Sequence, residues 1–404
     1  MSDALLMSQS VDLLDLWEEV LGRPPRDTTV DAQAAPFVLE HHYTDASEAA
    51  LRNFGLTLHA RAAWARDGFP QFRLSQSLAA ALLMTDSDSV PLEQVKFPFD
   101  TFVIQFSGPD YLVRTPSAGP TDPERDVVGV LVQIVKTPKE IEDYKRLKST
   151  MLAATEAAKA AGASGMAQAV KSTEAGHALL DAIPTVRGLY MGLLLGPLPP
   201  AYMAVVNARR KALPGPLGML PDGRHPLYAP VLSSFMEGRE AETVGALLDE
   251  FKTTDNFHGD VEVAKVMLGI MHTVGRLVLN LALYITNEED AAPRGRTTRA
   301  APVRANVKTT HVIQPRVWLV GNEIKLPKEI REAARTAART GEGRRPWHVS
   351  ARFIVRGHFR DQPYGPGHSL RRKQWISPFW KGGDAPTVLA RQYAVSEKGE
   401  GDHG

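Results

Sequence analysis

Apolar residues recur at helical spacing over residues 9–21, at Val11, Leu14, Leu16, Trp17, Val20 and Leu21, and Gly22 with the Pro24–Pro25 pair stops the run. A second helical pattern covers 45–66. Asp45 or Ser47 can cap it, and Leu51, Phe54, Leu58, Ala62 and Ala65 line one face. Residues 75–85 read as a third, Ser-capped helix. The period then changes. Thr101–Phe106, Tyr111–Thr115 and Val127–Val135 are short, β-branched and bounded by Gly and Pro, which predicts a small antiparallel sheet. Lys139–Ala161 returns to helical spacing and a weaker helical stretch runs to Ala182. Residues 183–235 are dense in Pro and Gly and predict loops with short strands, followed by a helix over Glu237–Lys252.

Asp260–Asn287 is the longest predicted element. Asp260 is an N-cap, and Val263, Val266, Met267, Ile270, Met271, Val274, Leu277, Val278, Leu281 and Ile285 make it apolar around most of its circumference. Such a helix belongs inside a core. His272, Arg276 and Asn280 recur every four residues and form one polar stripe on it, expected to be hydrogen-bonded against another element. Beyond it the periodicity lapses over 288–310, where acidic residues give way to Arg294, Arg296, Arg299, Arg304 and Lys308 among Pro, Gly and Thr. Val312–Leu319 predicts a strand and Lys328–Arg339 a short basic helix with Pro327 at its start. Trp347–Phe359 and Arg371–Ile376 predict strands flanking a tight connection.

These elements predict an α+β protein. Its helical N-terminal part carries a small antiparallel sheet and a long buried central helix, and a basic β-rich C-terminal module follows. The expected boundaries are 1–290 for an acidic mixed helical/β domain, 291–310 for an Arg-rich linker, 311–395 for the basic module and 396–404 for a disordered tail.

Composition narrows the chemistry. The chain has 404 residues and no cysteine, so disulfides, Fe–S clusters, thiolate zinc sites and a cysteine nucleophile are excluded. The acidic N-terminus does not read as a secretory signal. The most apolar stretch, Val266–Ile285, holds His272, Arg276 and Asn280 and reads as a buried helix, so a cytoplasmic protein with no membrane partner is expected. Net charge is only +1, yet residues 1–290 carry 25 Lys+Arg against 37 Asp+Glu, while 291–381 carry 20 against 5. Charge blocks of opposite sign suggest a polyanion-binding module or two mutually attracting halves.

The informative segment is 352–382. It interleaves the cations Arg352, Arg356, Arg360, Arg371, Arg372, Lys373 and Lys381 with the rings of Phe359, Tyr364, Trp375, Phe379 and Trp380, and His358 and His368 lie among them. Strand alternation would put Arg352, Ile354, Arg356 and His358 on one face. Gly365, Pro366 and Gly367 form a turn whose N–H groups can face an anion. Cations plus flat rings serve single-stranded RNA through phosphate neutralisation and base stacking. The same residue types make protein hot spots, and Trp375 and Phe379 could be needed for a small module's own core. A metal-independent endoribonuclease is the catalytic alternative, with His358 and His368 as acid and base beside Tyr364 and Arg356. A two-metal nuclease needs converging carboxylates, and Asp361 is the only acid between residues 343 and 383. His41–His42 beside Asp45 is the one further pair with metal-ligand chemistry. No Walker loop, G-x-S-x-G elbow or dinucleotide fingerprint occurs in the required context. No cofactor or resident metal is expected.

Three patches, in order along the chain, resemble the type V-A anti-CRISPR family, inhibitors of type V-A CRISPR nuclease production carried by phages, plasmids and integrated elements. The first is Ala63–Trp64–Ala65–Arg66 with Gly68 and Phe72, leading through Leu82 and Pro91 to Phe97–Pro98 and Phe102–Ile104. The second is the helix end Leu277–Asp290, and the third is Arg356–Gly357–His358–Phe359 with the Gly-rich turn, Trp375 and Pro378. The resemblance implies a non-enzymatic recognition protein of a mobile element. Its expected partner is RNA or a ribonucleoprotein, with a CRISPR effector or a ribosome-associated nascent chain as further candidates. A phage structural or assembly protein is the remaining alternative.

Overall fold

The computed structural model describes residues 59–106, 124–162, 165–196, 243–250, 261–287 and 357–381, the shorter stretches 30–31, 114–115, 231–234, 297–299, 303–304, 312–313, 316–320 and 353–355, and the single residues 18 and 26. The helices expected over 9–21 (apart from the helical Glu18) and 328–339 lie outside these residues, as does the His41–His42 pair.

The helical segment 59–66 ends in a way its sequence dictates. Gly68 has φ +78°, its N–H bonds Ala65 O at 3.0 Å, and the Phe69 N–H reaches back to Trp64 O at 3.0 Å. This is the paired closure of a helix C-terminus that needs a left-handed residue. Phe69, itself at φ +57°, packs edge-on against Trp64 at 4.8 Å between ring centroids, and the Trp64 indole donates to Pro70 O at 2.9 Å. The chain then enters β1 (Pro70–Leu74) and α1 (Gln76–Leu83), where Ser75 accepts from the Leu78 N–H as the expected cap. β2 (Thr85–Asp86), β3 (Thr101–Phe106), β4 (Arg114–Thr115) and β5 (Arg125–Pro138) follow. The helices α2 (Ile141–Ala160) and α3 (Gly165–Ala182) then pack together around Val30, Leu147, Met151, Leu180 and Ile183.

The sheet is larger than expected. β5 pairs with the eleven-residue β6 (Thr185–Leu195), which pairs with β7 (Val231–Ser234), all antiparallel. On its other side β5 meets β3 and β4, and β3 lies parallel to β1. β11 (Arg316–Val320) lies parallel to β1 and antiparallel to β8 (Thr297–Arg299), giving an eight-stranded mixed sheet in place of a small antiparallel one. Pro184, Gly188 and Gly192 disguise β6 as loop, and residues from both sides of the expected linker join one sheet. β8 lies inside that linker, as does β9 (Val303–Arg304), which pairs with β10 (Val312–Ile313).

Both faces of the central strands β3, β5 and β6 are buried, so their sequences are mostly apolar rather than strictly alternating, whereas Leu319 of β11 is exposed. Phe102, Ile104, Val130, Val132, Leu189 and Met191 face the main core with α4 (Val244–Glu250) and α5 (Val261–Asn287). Val103, Leu131, Tyr190 and Leu194 face Ala60, Trp64 and Phe69 on the other side. α5 is the central helix the sequence predicted. It is long and apolar enough to cross a membrane, but 72% of its window Leu268–Asn287 is buried inside the protein, which marks a core helix.

Candidate functional site: a basic hairpin docked on the core

The segment with the densest chemistry forms a hairpin. β13 (Gly357–Tyr364) and β14 (Leu370–Ile376) pair antiparallel from His358↔Ile376 to Tyr364↔Leu370. The turn between them needs glycine. Gly365 and Gly367 sit at φ +77° and +62°, His368 follows at +55°, and the His368 N–H closes on Gly365 O at 3.1 Å.

The base of the hairpin is fixed to the main core. Phe359 is buried there and its cross-strand neighbour Trp375 packs beside it, edge-on to Tyr284 of α5 at 5.0 Å. The Trp375 indole donates to Thr85 Oγ1 at 3.0 Å, and that hydroxyl donates to Ala81 O at 2.8 Å. The polar stripe of α5 braces the same turn. Asn280, fully buried, donates to Leu82 O at 2.7 Å and Thr85 O at 3.2 Å, and Arg276 pairs with Asp88 at 2.8 Å. β2 runs parallel to the start of β13, with Gly357 opposite Thr85. A Cβ at Gly357 would stand 2.6 Å from Thr85 Oγ1 and 3.1 Å from Ile376 O, so only glycine allows this approach.

Beyond that base, alternation divides the charges. One face carries Phe359, Asp361 and Pro363 opposite Trp375, Lys373 and Arg371. There Lys373 donates to Asp361 at 3.0 Å. The other face carries His358, Arg360, Gln362 and Tyr364 opposite Ile376, Gln374, Arg372 and Leu370. Arg360 donates to Gln362, and the Arg372 guanidinium lies 5.7 Å from the Tyr364 ring centroid, a cation–π distance. Arg360, Arg372, Tyr364 and Leu370 are exposed.

The expected site is therefore split. Phe359 and Trp375 are anchors rather than stacking platforms. Phe379, expected in the core, is 43% exposed in β15 (Phe379–Lys381), which pairs with β12 (Phe353–Val355). Trp380 lies in the same strand opposite Ile354. Arg352 and Arg356 lie outside the described residues. Arg371 and Arg372 are on opposite faces. His358 sits at the base and His368 at the turn, separated by six strand positions and thus about 20 Å. Proton transfer requires hydrogen-bond reach to one reacting centre, so the acid–base pair His358/His368 cannot act on one phosphate in this arrangement. Sequence reasoning missed Gln362 and Gln374. Their signal was the alternation that also places Arg372 two residues before Gln374.

Among the described residues, two polar features stand apart from the hairpin. Asp31 is fully buried and accepts from His59 Nε2 at 3.1 Å and His177 Nε2 at 3.2 Å, with the Arg26 N–H at 2.8 Å. A cleft of about 350 Å³ is lined by Arg66, Asp67, Phe97, Pro98, Phe99 and Asp100. Among the described residues no group of three His, Asp or Glu side chains could hold a metal ion.

The three patches of the sequence resemblance acquire physical roles. Trp64 and Gly68 close a helix and launch β1, Leu277 to Ile285 fill the core, and Gly357, Phe359 and Trp375 dock the hairpin. A solved structure described as the crystal structure of AcrVA2 aligns with 91% of this chain and 94% of its own, at 12% identity and a TM-score of 0.41. Among curated proteins there is no match. The model of the AcrVA2-like family, anti-CRISPR type V subtype A2, matches residues 72–383, most of the sheet, the central helix and the hairpin. With the greater part of its length so matched, the chain belongs to the anti-CRISPR type V subtype A2 family.

Proposed function

We propose that this chain is a cytoplasmic anti-CRISPR protein of a mobile element that inhibits by recognition rather than by catalysis. Its hairpin β13–β14 engages RNA or a ribonucleoprotein connected with a type V CRISPR effector, and its acidic helical half engages protein. The supporting observation is the division of labour in the hairpin. Phe359, Trp375 and Gly357 hold it rigidly on the core, while Arg360, Arg372 and Tyr364 are left exposed on one rigid face. A binding surface on rigid elements keeps its geometry and loses little entropy on association. The separation of His358 from His368 supports binding over cleavage.

The test is direct. The full chain is titrated into a labelled single-stranded RNA and the same RNA is examined for cleavage. Binding that weakens linearly in log affinity with log salt, with the RNA intact, is the expected result. No binding at about 50 mM salt, or cleavage that tracks the protein through purification, would sink the reading.

A further inference from the structure

We infer that one face of the hairpin, formed by Arg360, Gln362, Tyr364, Arg372 and Gln374, is a seat for single-stranded RNA, and that the opposite face is not. This rests on the RNA-binding reading above and assigns it an address. The eight residues of this face include two arginines, two amides, one imidazole and one exposed phenol ring, and no carboxylate. The hairpin's acid, Asp361, points to the other face, where Lys373 already meets it at 3.0 Å. Positive charge on the two faces is therefore unequal, although the sequence distributes its cations evenly.

The chemistry selects the ligand. Arg372 lies over Tyr364 at 5.7 Å, so a planar cation and a 40% exposed ring are already assembled beside each other. An unpaired base can stack on either plane while its phosphate meets Arg360 or Arg372. Gln362 and Gln374 offer donors and acceptors to a base edge, which a duplex would keep hidden in pairing. Arginine and tyrosine also dominate protein hot spots, so an acidic protein partner in place of RNA would show as no RNA binding by the parent chain.

The test compares two double variants with equal charge loss in the full chain, Arg360→Gln/Arg372→Gln and Arg371→Gln/Lys373→Gln. Probes are a fluorescent single-stranded RNA 12-mer, the same sequence as DNA, and the RNA annealed to its complement. The first variant should weaken RNA binding more than tenfold and lower the salt slope by one to two, at about one per lost phosphate contact. The second should weaken it less than threefold. Tyr364→Leu should cost about tenfold, the scale of one lost stack. Arg372→Lys keeps the charge and loses the plane, so it should cost several-fold at unchanged salt slope. Circular dichroism and urea unfolding check that each variant folds. The duplex should bind more weakly than the single strand. Equal effects of the two double variants, or equal or tighter duplex binding, overturns the assignment while leaving RNA binding intact. Equal or tighter binding of the DNA overturns RNA as the ligand. No RNA binding by the parent chain removes the functional reading itself.

Discussion

Trp375 and Thr85, separated by 290 positions in the chain, are joined by a 3.0 Å hydrogen bond from the indole N–H to the threonine hydroxyl. Thr85 also bonds Ala81 O at 2.8 Å, and Asn280 of the central helix bonds Thr85 O at 3.2 Å. One turn thus ties the hairpin to α1 and α5. The Thr85 hydroxyl joins the hairpin to α1 and its carbonyl joins the same turn to α5, so the hydroxyl can be cut while the bond to α5 is kept.

Thr85→Val keeps the shape and removes the hydroxyl. The indole N–H of Trp375 then loses its acceptor, which should cost about 1–3 kcal/mol. Trp375→Phe loses the donor as well and keeps the edge-on contact to Tyr284, so adding Thr85→Val to it should cost less than Thr85→Val alone. A double-mutant cycle by urea unfolding measures the difference. Additive effects would mean that the bond contributes nothing.

Gly357→Ala forces a Cβ to within 2.6 Å of Thr85 Oγ1 and 3.0 Å of Pro378 Cδ. The expected loss is about 1–3 kcal/mol, as for an overpacked core. It should loosen the hairpin first, so amide exchange in 357–376 should accelerate more than in β5 and β6. Uniform acceleration throughout would place the strain elsewhere.

Asp31 joins the segment at 30–31 to the helical segment 59–66 and to α3 through His59 and His177. A carboxylate only accepts, so each Nε2 carries a hydrogen. Asp31→Asn can satisfy one imidazole but presents an amino group to the other. The expected loss is about 2–3 kcal/mol by denaturant unfolding, with His177→Ala recovering little of it. A stability change below about 0.5 kcal/mol, the range of ordinary surface substitutions, would contradict this.

Asp181 is held below its ordinary carboxyl pKa of 3.8, chiefly by the hydrogen bond from Arg26, which outweighs desolvation, with smaller help from the Arg26, Lys136 and His177 charges. A depressed pKa contributes stability above 3.8 that is lost as pH falls through the folded-state value. The side chain is 44% exposed, so the effect is small and screened by salt. The stability gap between the parent chain and Asp181→Asn should be constant above that range and close in strong acid. A gap that widens on acidification would reverse the sign.

Much of the fold was legible because periodicity reports burial. Thr101–Phe106 has the expected bounds, Ser75 caps as expected, and α5 runs over Val261–Asn287 where Asp260–Asn287 was read. The stripe of Arg276 and Asn280 bonds another element, as its spacing suggested. β6 was not legible, because Gly188 and Gly192 signal turns locally while their partners in β5 and β7 are distant in sequence. Nor was the parallel pairing of β11 with β1, which no local signal encodes. In the candidate site, the cations and rings were identifiable, but their faces depend on the register Asp361↔Lys373. Of the two rings given a core role, Trp375 anchors the hairpin and Phe379 is exposed, because composition cannot tell an exposed ring from one whose nitrogen has found Thr85.

The central claim is inhibition through the hairpin's exposed face, and interference in cells measures it most directly. Cells carrying a type V-A CRISPR system are transformed with a targeted plasmid, with and without this chain. The chain should restore transformation by at least tenfold, and Arg360→Gln/Arg372→Gln should abolish the restoration at equal protein level, while Arg371→Gln/Lys373→Gln retains it. No restoration by the parent chain, or full restoration by Arg360→Gln/Arg372→Gln, would contradict the account.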